Sequence, residues 1–226
     1  MKTLLLTILM LSITGCGSTQ MAISPGRAPY TPGSIGFSDS FPYADGDLTS
    51  VSGGNWTNAA SVNTELYVSS HIVAPSTASN CGGAYCFVVW TGGGGPAPAN
   101  QSTQVTFTGI SADLLGPAVR TTISSQTGYA GLCTDGFGAV PTCAIEKLVN
   151  GTFTNLTGQG ATISATSTVK LTVSGTSSTV LTLYVNGSSY LTYTDSSSPI
   201  TSGTWGLGDI GSSGDTHINQ AIGTSP

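Results

Sequence analysis

Charge is scarce in this chain: only 7% of residues are charged, with five Lys and Arg against ten Asp and Glu, and the net charge is −5. No basic run is available to neutralise phosphates, so nucleic acid is excluded as a partner. Histidine is almost missing, and neither His71 nor His217 has a partner at metal-ligand spacing, which argues against a zinc site. No G-x-S-x-G elbow precedes a helix-period segment, so serine-hydrolase chemistry has no support. Helical periodicity never extends beyond about two turns. The one long apolar run, residues 4–13, is too short for a permanent membrane helix, which needs roughly 20 residues.

What is abundant is Ser, Thr, Asn and Gly between short runs of β-branched and aromatic residues, a pattern of strands and turns that supplies polarity without charge. The clearest passage is residues 168–194. Val169, Leu171 and Val173 alternate with Lys170, Thr172 and Ser174; after a turn, Leu181, Leu183 and Val185 alternate with Thr182 and Tyr184. Asn186-Gly187 then forms a hairpin turn, because both residues tolerate positive φ. One face of this meander is apolar and the other rich in hydroxyls, as in a sheet with one buried and one wet side. Further strands are expected at 37–41, 65–68, 85–90, 103–110, 117–124, 129–132, 143–149, 205–210 and 216–222. So many short strands call for an all-β sandwich or barrel. About 190 residues are enough for one sizeable core, and one domain is the default.

The N-terminal segment carries its own signal. Lys2 is followed by the apolar run and then by Ile13-Thr14-Gly15-Cys16, which resembles the signal of bacterial lipoproteins. The resemblance implies cleavage before Cys16, a lipid on that cysteine and a mature protein held at an extracytoplasmic membrane surface, outer membrane or cell surface. Residues 16–35, with Pro25, Pro29 and Pro32, then read as a flexible tether, leaving residues 36–226 as the domain. Cys81, Cys86, Cys133 and Cys143 remain. An even number in an exported chain suggests disulfides. Three pairings are open from sequence; Cys81 with Cys86 and Cys133 with Cys143 is preferred because each pair is close in sequence and brackets turn material.

Phe37-Ser38-Asp39-Ser40-Phe41, Asp47-Leu48 and Asn55-Trp56 resemble the opening of concanavalin A-like lectin/glucanase domains of the laminin G-like kind. Val119-Arg120, the segment 129–132, Lys147-Leu148-Val149-Asn150-Gly151, the segment 169–175, Leu183-Tyr184-Val185-Asn186-Gly187 and Asp195 resemble that family's later strands in order. The implied fold is an antiparallel two-sheet jelly-roll sandwich with a concave face on which many members bind glycans. Members that hydrolyse glucans carry a cluster resembling Glu-x-Asp-x-x-Glu on one strand, and no such cluster exists here. The resemblance also implies that no cofactor is required and that a structural calcium ion could sit between the first and last strands, at Asp39, Asp209 and Asp215.

The expected function is therefore non-catalytic binding of a glycan or of a surface protein. Sugar binding needs an aromatic platform and a few fixed polar groups. Trp90, Tyr129, Tyr184 and Trp205 are the candidate aromatics, with Arg120, Glu146 and Asn186 as polar partners. Two alternatives stay open: a polysaccharide-degrading enzyme, in its lyase form using Tyr129 with Arg120 or Lys147, and a structural decoration protein of an envelope or virion.

Overall fold

The computed structural model describes residues 36–59, 66–75, 86–93, 97–135, 140–210 and 216–225. They form an antiparallel sandwich of two sheets, as the alternating pattern predicts. The larger sheet runs β15 (Ser188–Asp195), β14 (Thr179–Val185), β13 (Thr168–Ser174), β7 (Gln101–Gly109), β17 (His217–Thr224), β5 (Ile72–Pro75), β4 (Leu66–Ser69) and β2 (Gly46–Asp47), with β1 (Gly36–Asp39) also paired to β17. The smaller runs β11 (Thr152–Asn155), β10 (Thr142–Val149), β9 (Gly128–Thr134), β8 (Leu114–Thr121), β16 (Thr204–Ile210), β6 (Cys86–Trp90) and β3 (Trp56–Asn58), with β12 (Ala161–Thr162) paired to β10. Among the described residues the single helix is the four-residue α1 (Leu48–Val51), and none is long and apolar enough to cross a membrane.

Alternation builds the core. Val169, Leu171 and Val173 of β13 stand opposite Val185, Leu183 and Leu181 of β14, and this apolar row closes on Leu115, Val119, Ile145 and Leu207 of the smaller sheet. At about 25 cal/mol per Å² of apolar surface, such inward rows supply the dominant favourable term for the fold. Thr103 of β7 joins the layers by a polar contact, donating from its hydroxyl to the Ala118 carbonyl across the core at 2.6 Å. Both Asn-Gly hairpins take the geometry their residues favour: φ is 49° and 81° at Asn186 and Gly187, and 50° and 79° at Asn150 and Gly151. The second hairpin pairs β10 with β11, a strand absent from the sequence expectations although its turn was readable.

Cys133 and Cys143 face each other in register across β9 and β10 and form a disulfide, as expected from their spacing. Cys81 and the cystine expected with Cys86 lie outside the described residues and side chains, as do Cys16, the tether and Asp215.

Candidate functional site

Three of the four candidate aromatics are buried. Trp90 and Trp205 join Trp56 around Phe37: Phe37 stacks on Trp90 with centroids 4.3 Å apart and meets Trp56 and Trp205 edge-on at 5.5 and 5.9 Å. That cluster takes all three tryptophans of the chain into the core, so none is a platform for a sugar ring. Asp39 anchors it. Its carboxylate accepts from Trp56 Nε1 and the Tyr43 hydroxyl, both at 2.7 Å, and from the Phe41 amide at 2.8 Å. Burial and the bond to Asp39 push the Tyr43 hydroxyl well above the usual phenol range. Asp39 is thus occupied by protein donors, and Asp209 is buried at the end of β16. The described residues contain no group of three or more His, Cys, Asp or Glu able to hold a metal.

Arg120 is also committed internally. The register between β16 and β8 shifts at this point, from Thr204 opposite Thr121 to Gly206 opposite Ala118, and Arg120 has φ 50°. The extra residue turns a side chain that simple alternation would send outward into the space between the sheets, where it is fully buried. Its guanidinium donates five hydrogen bonds, to the carbonyls of Ala99, Gly175 and Ile200 and to the Thr179 hydroxyl. Those groups belong to three parts of the chain, the segment before β7, the turn between β13 and β14 and the connection from β15 to β16, which Arg120 ties together. Burial lowers its pKa.

Tyr129 and Lys147, candidates for a lyase site, meet at a third residue. The Tyr129 hydroxyl and Lys147 Nζ both donate to Asp195 Oδ2 at 2.6 Å, and the Ile200 amide donates to the Tyr129 oxygen at 2.8 Å. Burial alone would push Asp195 up; the hydrogen bonds from Lys147 and Tyr129 and the Lys147 charge outweigh it and hold the carboxyl below its usual range. Burial, then the bond to Asp195, raises the Tyr129 hydroxyl far above the usual phenol value. A fully buried phenol that holds its proton this tightly is a poor base, and this network instead fastens the segment after β15 to the smaller sheet.

Tyr184 points outward from the larger sheet, with Lys170 Nζ 4.8 Å from its ring centroid. Asn186 serves its own turn, its side-chain oxygen accepting from the Thr168 amide at 2.9 Å. The hydroxyl-rich face read from 168–194 therefore belongs to the outer side of the larger sheet.

The outer side of the smaller sheet has a different chemistry. Ala118, Ala130, Leu132 and Leu148 project there with Phe87 and Val89, forming a second apolar cluster separate from the core. This face is concave. A Cβ on Gly208 of β16 would lie 2.9 Å from the Ala130 Cβ, although β8 runs between their strands and a flat sheet would hold them roughly 9–10 Å apart. Glycine permits the curl: a Cβ on Gly116 of the intervening strand would stand 2.0 Å from the Gly131 carbonyl oxygen.

Within this curve is a small hollow of about 10 Å³, room for about one water, lined by Phe87, Ala130, Leu132, Glu146, Lys147, Leu148 and Phe153, with Gly208 and Asp209 at one side. Glu146 is 3% exposed; its Oε1 accepts only a long bond from Asn155 at 3.4 Å, and its Oε2 has no partner. Burial raises the carboxyl to about 8, so at neutral pH it is mostly a neutral acid, able to donate and to accept. Its neighbours two positions away, Ala144 and Leu148, and its cross-strand partners, Ala130 and Asn155, carry no charge. Lys147 alternates to the other side, and Asp209 continues the series of Trp205 and Leu207, which face the core.

Of the seven predicted binding residues, only Glu146 faces this hollow. Phe87, Leu132, Leu148 and Phe153 were not foreseen. Their signal was the failure of polar alternation in β9 and β10, whose two side-chain series are both largely apolar.

No protein-family model matches the chain, and no curated protein sequence matches it. Its structure is similar to the crystal structure of BuGH16Bwt, with TM-score 0.54, 8% identity, and coverage of 83% of this chain and 90% of that one. It is also similar to the carbohydrate binding module CBM66 from Bacillus subtilis, at TM-score 0.49 and 13% identity over 74% and 94% of the two chains. The Emp47p carbohydrate recognition domain follows at TM-score 0.45 and 11% identity over 83% and 96%. Likeness at such low identity speaks to architecture, and the architecture is the concanavalin A-like jelly roll.

Proposed function

We propose that this protein is a non-catalytic glycan-binding module that works outside the cytoplasm, tethered to a membrane through a lipid on Cys16. One observation carries the reading: Glu146 on the concave face has uncharged neighbours on both adjoining strands, and the other carboxyl lining its hollow, Asp209, belongs to the side-chain series of Trp205 and Leu207 that faces the core. Retaining hydrolysis needs two carboxyls about 5–5.5 Å apart, and inversion needs two at roughly 6.5–9.5 Å. Among the described residues, neither the strand face that carries Glu146 nor its cross-strand partners offer a second carboxylate to attack a sugar or activate water. The lyase alternative loses support because Tyr129 and Arg120 are buried between the sheets with their polar groups engaged.

A glycan array probed with the purified protein, followed by assay of each hit for new reducing or unsaturated ends, tests the proposal. Binding without cleavage is the expected result. Cleavage of a bound glycan would overturn it, and no binding to any glycan would leave a protein ligand as the better reading. The membrane tether is tested separately by metabolic labelling with a fatty acid in bacterial cells, in which C16A should lose the label.

A further inference from the structure

The larger sheet stops at β15, with nothing paired beyond it among the described residues. We infer that this edge is a self-association surface, on which a second copy of the chain pairs antiparallel through its own β15 and continues the larger sheet across a twofold axis.

Strand length singles this edge out. Among the described residues, β1, β2, β3, β11, β12 and β15 each have one partner strand. The first five have four, two, three, four and two residues, and short edge strands are one way a sheet avoids pairing with another chain. β15 has eight, without lysine, arginine or proline. Its one charge, Asp195, is drawn inward to Lys147 at 2.6 Å. Its one irregularity, the register shift between Leu183 and Tyr184, lies toward the hairpin and leaves 191–195 in regular register with β14. The core row also runs out here. Leu183 and Leu181 of β14 are fully buried, but their partners Leu191 and Tyr193 on β15 are only half-buried at the end of the sheet. On the outer face Tyr190 is 48% exposed, and Thr192 and Thr194 are exposed as well.

The chemistry of the edge suits its own copy. Directly opposed residues of an antiparallel pair share a face, so a twofold axis perpendicular to the sheet must pass between two copies of the same residue. Centred on Thr192, the pairing sets Leu191 against Tyr193 of the second copy, and Tyr190 against Thr194 of the second copy. The apolar pairs repeat those made with β14, where Leu181 opposes Tyr193 and Leu183 opposes Leu191. Asp195 then faces Ser189 of the second copy, which holds the two Asp195 backbones roughly 20 Å apart along the strands. For a chain of net charge −5, a strip without free charge is where two copies approach with least repulsion, and a charged partner would find no counter-charge there. One strand on each side makes an interface at the low end of the size range, about 1,200 Å² or less in total, so the dimer should be reversible. The axis leaves both smaller sheets on one side of the joined sheet, so their concave faces point the same way and could engage one glycan surface together. That consequence rests on the glycan-binding reading above; the pairing itself does not.

Sedimentation equilibrium of the full purified protein in a mild detergent, over a wide concentration range, tests the pairing. The protein mass should rise from one copy to two. T192K sets two ammonium groups opposite each other from an exposed position, so it should weaken association about tenfold or more while leaving the thermal unfolding midpoint unchanged. Association driven by lipid or by glycan would survive that change. T192C should give a disulfide-linked dimer under mild oxidation, because the two Cα atoms would stand about 5.5 Å apart or closer. T172C, on the same face but two strands inside the edge, should not. The cross-link decides the matter even if T192K proves unstable. A protein that stays monomeric, a dimer of folded protein indifferent to T192K, or equal cross-linking of T192C and T172C would overturn the inference while leaving the glycan-binding reading intact.

Discussion

Replacing Glu146 with glutamine should stabilise the protein in alkali and change little in acid. The Glu146 carboxyl has an ordinary value of 4.5 when exposed in the unfolded chain and is raised to about 8 by burial in the fold. Between those values the folded protein keeps a proton that the unfolded chain has released, so unfolding stability falls as pH rises. The contribution is fully present below the lower value and is lost by the time pH passes the upper one. At about 1.4 kcal/mol per pH unit, the wild type should lose roughly 3–5 kcal/mol over this interval. Glutamine fills nearly the same volume and does not titrate. Urea unfolding of both proteins at pH 4, 6, 8 and 9 isolates the effect, because other titrating groups contribute equally to each and cancel in the difference. Parallel stability curves would refute the reasoning and mean that Glu146 is solvated or paired.

Three further outcomes follow from the buried polar contacts and the disulfide. D195N should cost about 3 kcal/mol near neutral pH, because Lys147 is left only 12% exposed without its counter-charge. Since Asp195 is held below its usual range, the wild-type advantage should shrink as pH falls through that depressed value, and an advantage that grew in acid would contradict the assignment. R120K should destabilise by roughly 3 kcal/mol or more, measured by denaturant midpoint, because an ammonium cannot span the carbonyls of Ala99, Gly175 and Ile200 at once. Removing the Cys133–Cys143 bridge as C133A/C143A should cost about 2.5 kcal/mol, from the entropy of a loop spanning a separation of 10 residues. A loss that vanishes when wild type is compared under reducing conditions would attribute it to the bridge rather than to packing.

Much of the fold was legible because the signals are local. Alternation at Val169, Leu171 and Val173 needs only neighbouring residues, as do the Asn186-Gly187 hairpin and the pairing of Cys133 with Cys143. The candidate site was largely illegible for two physical reasons. Alternation tells which residues share a face but not what that face meets: Trp90 and Trp205 have the aromatic character of a binding platform and the burial of a core. A bulge also reverses the rule locally, and Arg120 shows no sequence mark of the shift that turns it inward. Tyr129, Lys147 and Asp195 are separated by up to 66 positions, so their meeting depends on the order of strands in the sheets. Glu146 was recognised as polar on a strand, but its isolation among apolar walls emerges only once β9, β10, β6 and β16 curve together.

The most direct test of the account is to locate a bound glycan by the methyl resonances of the protein. Titration with an array hit should shift the Leu132, Leu148 and Ala130 methyls, leave Val180 and Thr182 on the outer side of the larger sheet unchanged, and return the glycan intact. Shifts confined to the larger sheet, or a glycan recovered in fragments, would contradict the claim that the concave side of the smaller sheet binds a glycan without catalysis.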